Sequence, residues 1–396
     1  MSEANASQPR RRICVVSTTR ADYGLLRPVM RLMRDRGDVH FQLVAGGMHL
    51  VSDFGSTLNA LEADGFRPDR VVDFLLASDT PIGVTKSLGL ATIAFAEAFD
   101  ALKPDLIVLL GDRYEILAAG QAALIARIPI AHIHGGELTH GAFDDAIRHC
   151  LTKMASLHFA STEEHCRRVI QMGESPDRVF NVGAPGLDSV AEQPIWSREE
   201  TASALGISLA TPVFVVTFHP ATAGAMKPDR AIGEMLTALD RFDDATIIMT
   251  KCNADPAGRA LNALAASFVL RQPERRLLVD SLGTARYINL LRHADVVVGN
   301  SSSGIIEAPI MGVPTVNIGD RQAGRPKAAS VIDCDCEATQ IGVALKKALG
   351  IEFRTVAARL ESPYGRAGAS AKIYEILRQC RLAGLVSKGF RDITDI

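Results

Sequence analysis

Short apolar runs rich in Val and Ile recur along this chain, at 13–17, 41–45, 106–110, 130–133, 213–217, 246–249, 277–280, 296–298 and 315–318. Between them lie stretches whose apolar residues repeat at i, i+3 and i+4, as at 25–33, 116–125 and 288–291. Continuous rather than alternating apolarity marks strands covered on both faces. Strands that alternate with helices predict parallel sheets built from β–α–β units. At 396 residues the chain is too long for one ordinary core. The predicted fold class is therefore α/β, as two Rossmann-like, doubly wound parallel-sheet domains spanning 12–190 and 211–375. The pattern breaks around 189–212, where Gln193–Pro194, the sole tryptophan Trp196 and Ser197–Arg198–Glu199–Glu200 read as a linker (191–210) containing a capped helix. Residues 1–11 read as a disordered lead-in and 376–396 as a C-terminal helix and tail. In open parallel sheets ligands sit outside the carboxyl ends of the strands, so two such domains facing across a cleft would line it with strand-end loops.

Composition narrows the partners. A formal net charge of -2 and a pI near 6.6 offer no basic field for nucleic acid or an anionic membrane, so anion binding must be local. The seven cysteines, at 14, 150, 166, 252, 334, 336 and 380, are odd in number and form no CxxC pair. Neither a disulfide framework nor a thiolate zinc site is indicated, and a reducing cytoplasm is expected. The polar, basic start leads into only about five apolar residues, too few for a signal-peptide core or a membrane span.

The strand-end loops carry the chemistry. Val296–Val297–Val298 runs into Gly299–Asn300–Ser301–Ser302–Ser303–Gly304 before a helical pattern resumes, which reads as strand, tight turn and helix N-terminus. Unpaired N–H groups, the positive end of the helix dipole and small hydroxyls there form a phosphate cradle. Glu307 follows, able to accept hydrogen bonds from the two hydroxyls of a ribose. The alternative is a plain serine N-cap with an acid behind it. In the first half, Ser17–Thr18–Thr19–Arg20 follows the first strand without GxGxxG spacing, so Arg20 reads as a phosphate clamp or a helix-start ion pair and NAD chemistry is unsupported. Gly111–Asp112–Arg113 ends another strand with adjacent opposite charges, one suited to the sugar and the other to a diphosphate; a helix cap with a surface arginine is the alternative.

His132–Ile133–His134–Gly135–Gly136–Glu137 places two histidines on one strand face by the period of two, then a glycine pair and a carboxylate. No further ligand follows at a metal-site spacing, so no metal is expected. Asp144 and Asp145 open a helix, aligned at i, i+4 with Arg148 and His149. Phe218–His219–Pro220 ends the first strand of the second half and points to a catalytic histidine, a structural one being the alternative. Asn253, Asp255 and Arg321 lie after later strands and would complete a ring around a nucleotide.

Taken in order, RADYG at 20–24, GDRYE at 111–115, HIHGGE at 132–137, the acidic helix start at 144–149, FHP at 218–220, NAD at 253–255, GNSSSGIIE at 299–307 and NIGDRQAGR at 317–325 resemble the hydrolysing UDP-N-acetylglucosamine 2-epimerases. The resemblance runs from about residue 12 to 375. It implies a glycosyltransferase B-like pair of domains, with UDP held by the C-terminal one and the sugar at the interdomain cleft. It also implies release of UDP with inversion at carbon 2 through a glycal, giving a mannosamine-type sugar for sialic or related nonulosonic acids. By the same resemblance Asp112, Glu137, Asp144 and His219 are catalytic, and Arg20, Arg113, Asn253, Ser301, Ser302, Glu307 and Arg321 bind the nucleotide; His134 and Asp145 are adjacent candidates, and His134 and Asp255 are counted with the substrate-binding residues. No cofactor is expected, and the partners are a UDP-sugar and further copies of the chain in a homodimer or homotetramer. The same motifs serve enzymes acting on UDP-N,N′-diacetylbacillosamine for legionaminic acid. A non-hydrolysing epimerase, a glycosyltransferase and an inactive nucleotide-sugar sensor are the competing readings.

Overall fold

A computed structural model of the chain describes residues 10–51, 57–78, 80–139, 143–219, 227–251, 256–280 and 282–392. Within them the chain divides into two compact units: residues 1–137, 143–185 and 368–396 form the first, and 138–142 with 186–367 the second.

The first unit is built on β1 (Arg12–Ser17), β2 (His40–Gly46), β3 (Arg70–Val72), β4 (Leu106–Leu110), β5 (Ile130–Ile133), β6 (Leu157–Ala160) and β7 (Val179–Asn181). All pair in parallel, in the order β3-β2-β1-β4-β5-β6-β7. The crossovers are α1 (Arg20–Arg36), α2 (Leu58–Ala63), α3 (Pro81–Leu102), α4 (Tyr114–Ile125), α5 (Phe143–Met154) and α6 (Glu163–Gln171). The second unit opens with α7 (Gly186–Glu192) and α8 (Arg198–Leu205). It then winds β8 (Val213–Thr217), α9 (Pro228–Leu239), β9 (Thr246–Thr250), α10 (Pro256–Val269), β10 (Arg276–Val279), α11 (Gly283–Arg292), β11 (Val296–Gly299), α12 (Ser303–Ile310), β12 (Thr315–Ile318), β13 (Val331–Cys334), α13 (Ala338–Leu349) and α14 (Ile351–Ala357). Its sheet runs β10-β9-β8-β11-β12-β13, also parallel. Because the winding reverses between β1 and β4 in one sheet and between β8 and β11 in the other, a crevice opens at the carboxyl ends of those pairs. Each of those four strand ends carries a motif singled out above.

Burial on both faces explains the unbroken apolar runs: β4 and β5 are buried throughout, and separate clusters on the two sides of the first sheet are centred on Leu26, Met30 and Phe159 and on Phe95, Phe99 and Ile116. Phe214, Met235 and Ile341 anchor one face of the second sheet, Val215, Leu290 and Leu291 the other. Local signals agree with the elements. Thr19 and Asp22 close a capping box on α1, and Ser197 with Glu200 closes one on α8. The helix α3 is long and apolar enough to cross a bilayer, but Ala91, Phe95, Ala98 and Phe99 along it are buried in the first unit's core.

Two boundaries differ from the sequence reading. The stretch 191–210, expected as a linker, is packed into the second unit. Asn289 and Arg292 of α11 donate to the Pro194 carbonyl, and Arg292 also to that of Val190. Asn289 Oδ1 receives the Trp196 N–H. The C-terminal part returns to the first unit: α15 (Ala369–Gln379) lays Ile373, Tyr374 and Leu377 into the cluster around α1, so residues 369–375 do not belong to the second unit, where the sequence reading put them. The expected lead-in falls mostly in 1–9, outside the described residues.

Candidate active site

At the β4 end the chain turns through Gly111 and presents Asp112, which forms an ion pair with Arg148 of α5. Arg148 is only 4% exposed, and its Nη1 also lies 3.9 Å from Glu137. One guanidinium thus stands between the two carboxylates expected to be catalytic, a role its position inside a helix did not announce. A buried cation so placed offsets the mutual repulsion of the pair, since each charge taken from water needs a partner. Asp144, in the first turn of α5, shows the opposite behaviour. Partial burial and then the negative charge of Asp112 raise its pKa from the ordinary carboxylate value, the direction that favours the acid form.

Glu137 is held from several directions. His134 Nδ1 bonds to its Oε1, and the Ser161 hydroxyl donates to the same oxygen at 2.8 Å. The strand β5 stops at Ile133, and His134 follows in the left-handed region at φ 66, so the period of two that put both histidines on one strand face ends before the second. His132 instead bonds through Nε2 to the Gly111 carbonyl at 2.8 Å, and burial pushes its pKa down to about 3. Gly136 has no alternative residue: its φ is 79 and a Cβ there would collide with the His165 carbonyl of α6. Among the described residues no group of three or more His, Cys, Asp or Glu is arranged to hold a metal.

The other nucleotide candidates in this unit differ. Arg113 forms a two-bond fork with Glu115 of α4, at 2.8 and 3.1 Å, and Glu115 is fully buried; the guanidinium is fixed in place by a partner the sequence reading did not assign. Arg20 opens α1 with an exposed side chain. Asp145 pairs with His149 at 3.5 Å, as the i, i+4 spacing predicted.

In the second unit the β8 and β11 ends are tied by a residue sequence reasoning passed over. Asn300 receives the His219 N–H at its Oδ1 (2.8 Å) and donates Nδ2 to the His219 carbonyl (2.9 Å), a two-point latch that fixes the His219 backbone to the β11 end. Gly299 permits it: at φ 127, any Cβ would strike the Thr217 carbonyl. Arg321 and Gln322 both donate to the Asn300 carbonyl, at 3.0 and 2.8 Å. Burial, with Arg321 adding to it, pushes the His219 pKa down to about 4, so this imidazole is neutral at ordinary pH.

Ser302 occupies the N-cap of α12 but makes no capping bond with its side chain, while Ser301 Oγ accepts the Ser303 N–H at 3.4 Å, so the hydroxyl of Ser302 is not spent on the cap. Ser303 accepts a 2.7 Å bond from Tyr287, whose hydroxyl is driven up in pKa mainly by burial, with the Glu307 charge adding to it. Ser301, Ser302 and Glu307 are partly buried at this terminus. Asn253 and Asp255 lie outside the described residues.

The chain matches the family model for UDP-N-acetylglucosamine 2-epimerase over residues 31–378. It is 38% identical over 345 residues to the GDP/UDP-N,N′-diacetylbacillosamine 2-epimerase (hydrolyzing) of Campylobacter jejuni, covering 87% of this chain and 89% of that protein. It is 33% identical over 387 residues to the polysialic acid biosynthesis protein P7 of Escherichia coli, covering 98% of each. Among solved structures, the UDP-GlcNAc 2-epimerase of Neisseria meningitidis bound to UDP-GlcNAc superposes with a TM-score of 0.79 at 19% identity, covering 92% of this chain and 99% of that one. At that identity the likeness concerns the fold.

Proposed function

This chain belongs to the UDP-N-acetylglucosamine 2-epimerase family, and we propose that it is a hydrolysing member, releasing UDP and inverting carbon 2 of a UDP-linked 2-acetamido sugar. The observation that carries the reading is the pair of unlike carboxyl environments in the first unit. Asp112 is ion-paired with Arg148, while Asp144 beside it is pushed toward its protonated form. A reaction that removes a proton from carbon 2 and returns one from the other face needs a base and an acid together. Each such group supplies about 10²–10⁴-fold, roughly 3–5 kcal/mol of barrier.

The second unit supports the leaving-group half of the step. Helix-terminal N–H groups and the hydroxyls of Ser301 and Ser302 are suited to the diphosphate, with Arg321 as a cation beside them and Glu307 suited to the ribose. Arg20 and Arg113 of the first unit, like Asn253 and Asp255, are retained as nucleotide contacts from the motifs alone. His219, neutral and latched by Asn300, is suited to hydrogen bonding or proton transfer at the reacting sugar. No step calls for a metal or an organic cofactor.

Two sugars have support. The name of the Campylobacter relative favours N,N′-diacetylbacillosamine, while the family model favours N-acetylglucosamine and the Escherichia coli relative, matched almost end to end, is named for polysialic acid biosynthesis. Proton NMR in D₂O with each UDP-sugar tests both: free UDP with a manno sugar deuterated at carbon 2 is the expected result, fastest with the true substrate. A product still attached to UDP would establish the non-hydrolysing reaction instead. We further assign the enzyme to the cytoplasm, with neither nucleic acid nor membrane as partner, as a homodimer or homotetramer that light scattering of the purified protein would count.

A further inference from the structure

His134 combines three features. It is a non-glycine residue in the left-handed region, a conformation that costs about 1–3 kcal/mol and persists where the surroundings enforce it. Its Nδ1 is bonded to the buried carboxylate of Glu137, which the Ser161 hydroxyl steadies at the same oxygen. Its Nε2 is buried and has no hydrogen-bond partner among the described residues, in a side chain that is 9% exposed as a residue. His132, two residues earlier, engages both ring nitrogens, with Gly111 and Thr152. Here the Nδ1–H donates to the carboxylate, which leaves Nε2 as the acceptor.

We propose that His134, rather than Glu137, is the group that takes the proton from carbon 2, with Glu137 as its positioning residue. This rests on the function proposed above. In the step, Nε2 binds the proton, the C2–H electron pair becomes the C1–C2 double bond, and the C1–O pair leaves with UDP. Water then adds its oxygen to C1 while Asp144 gives a proton to C2 from the other face. The proton lost by that water restores Asp144, and the imidazolium of His134 releases its proton to solvent. Glu137 stabilises the imidazolium and fixes its tautomer, as a carboxylate does behind any catalytic imidazole. Burial and the charge of Asp112 shift the Asp144 pKa upward, the direction this role needs.

The test compares His134→Gln, His134→Asn and Glu137→Gln with the wild type for UDP release and for deuterium entry at carbon 2. Asparagine tolerates the left-handed backbone, so a folding defect in the glutamine variant does not decide the matter. Both His134 variants should lose about 100-fold or more in kcat with UDP affinity unchanged. Glu137→Gln should lose about tenfold and move the acidic limb of the kcat profile to lower pH, because the imidazolium loses its counter-charge. The other titratable and charged groups facing this pair are His132 on β5, Arg148 on α5 and His165 on α6, and they are intact in every variant. A Glu137→Gln enzyme that is dead while His134→Asn keeps more than about a tenth of its turnover would overturn the assignment. A wild type that releases no UDP from either sugar would overturn the proposed function itself, a result visible before any variant is made.

Discussion

Asp112, Arg148 and Glu137 form one electrostatic unit, so their substitutions will not behave independently. Asp112→Asn keeps the shape but removes the charge that Arg148 answers and that raises Asp144. It should lower kcat by about 10²–10⁴-fold while UDP affinity, measured calorimetrically, stays near wild type; unaltered turnover would remove Asp112 from the chemistry. His219 gives a second prediction at this scale. Its pKa, down at about 4, means the ring stays neutral as pH falls from 8 to 5, and imidazole ¹⁵N shifts of the free enzyme should not move in that range. A midpoint near 6.5 would refute the buried, Arg321-facing environment. Asp112, Glu137 and His219 were legible because each sits at a strand end, where the local pattern names its position. Arg148, Asn300 and Ser161 were not: each acts through a partner far away in sequence, and nothing within a few residues marks it.

At the level of single elements, the β11–α12 junction decides whether the serine run is a cap or a cradle. Ser302 spends no hydroxyl on capping α12, so Ser302→Ala should cost little helix stability, where a true N-cap would cost about 1 kcal/mol. The same variant should weaken UDP binding severalfold, and so should Glu307→Gln; wild-type calorimetric affinity in both would sink the cradle. Gly299→Ala is a different experiment. The added methyl meets the Thr217 carbonyl, and the β8–β11 register must shift to admit it. That variant should lose thermal stability as well as UDP. The elements themselves were largely readable: the runs at 106–110, 130–133, 213–217 and 315–318 are strands with the same ends. The strands β3, β6, β7 and β13 escaped notice; β3, β7 and β13 are partly exposed sheet edges, so continuous apolarity was never required of those three.

For the molecule as a whole, the return of the C-terminal segment to the first unit is the feature with the largest consequence. Ile373, Tyr374 and Leu377 are each buried to within 1% of complete coverage in the core around α1, and full burial of such side chains contributes about 1.5–3 kcal/mol apiece. Their sum approaches the entire stability of an ordinary domain, about 5–15 kcal/mol. Ending the chain at residue 367 should therefore unfold or strongly destabilise the first unit while leaving the second, whose cores draw nothing from α15, able to fold. Beyond α15, Lys388 reaches back to Glu174, which also accepts from Lys153 and His158. Burial alone would raise the Glu174 pKa, but these bonds outweigh it and bring the group down to about 2. A carboxylate depressed in the folded state stabilises above its unfolded pKa and loses that contribution as pH falls from about 4.5 toward 2. Glu174→Gln should thus lower the melting temperature at pH 7 and flatten its decline below pH 4.5. A melting profile with the same acid slope in both proteins would show that the C-terminal segment is held by its apolar contacts alone.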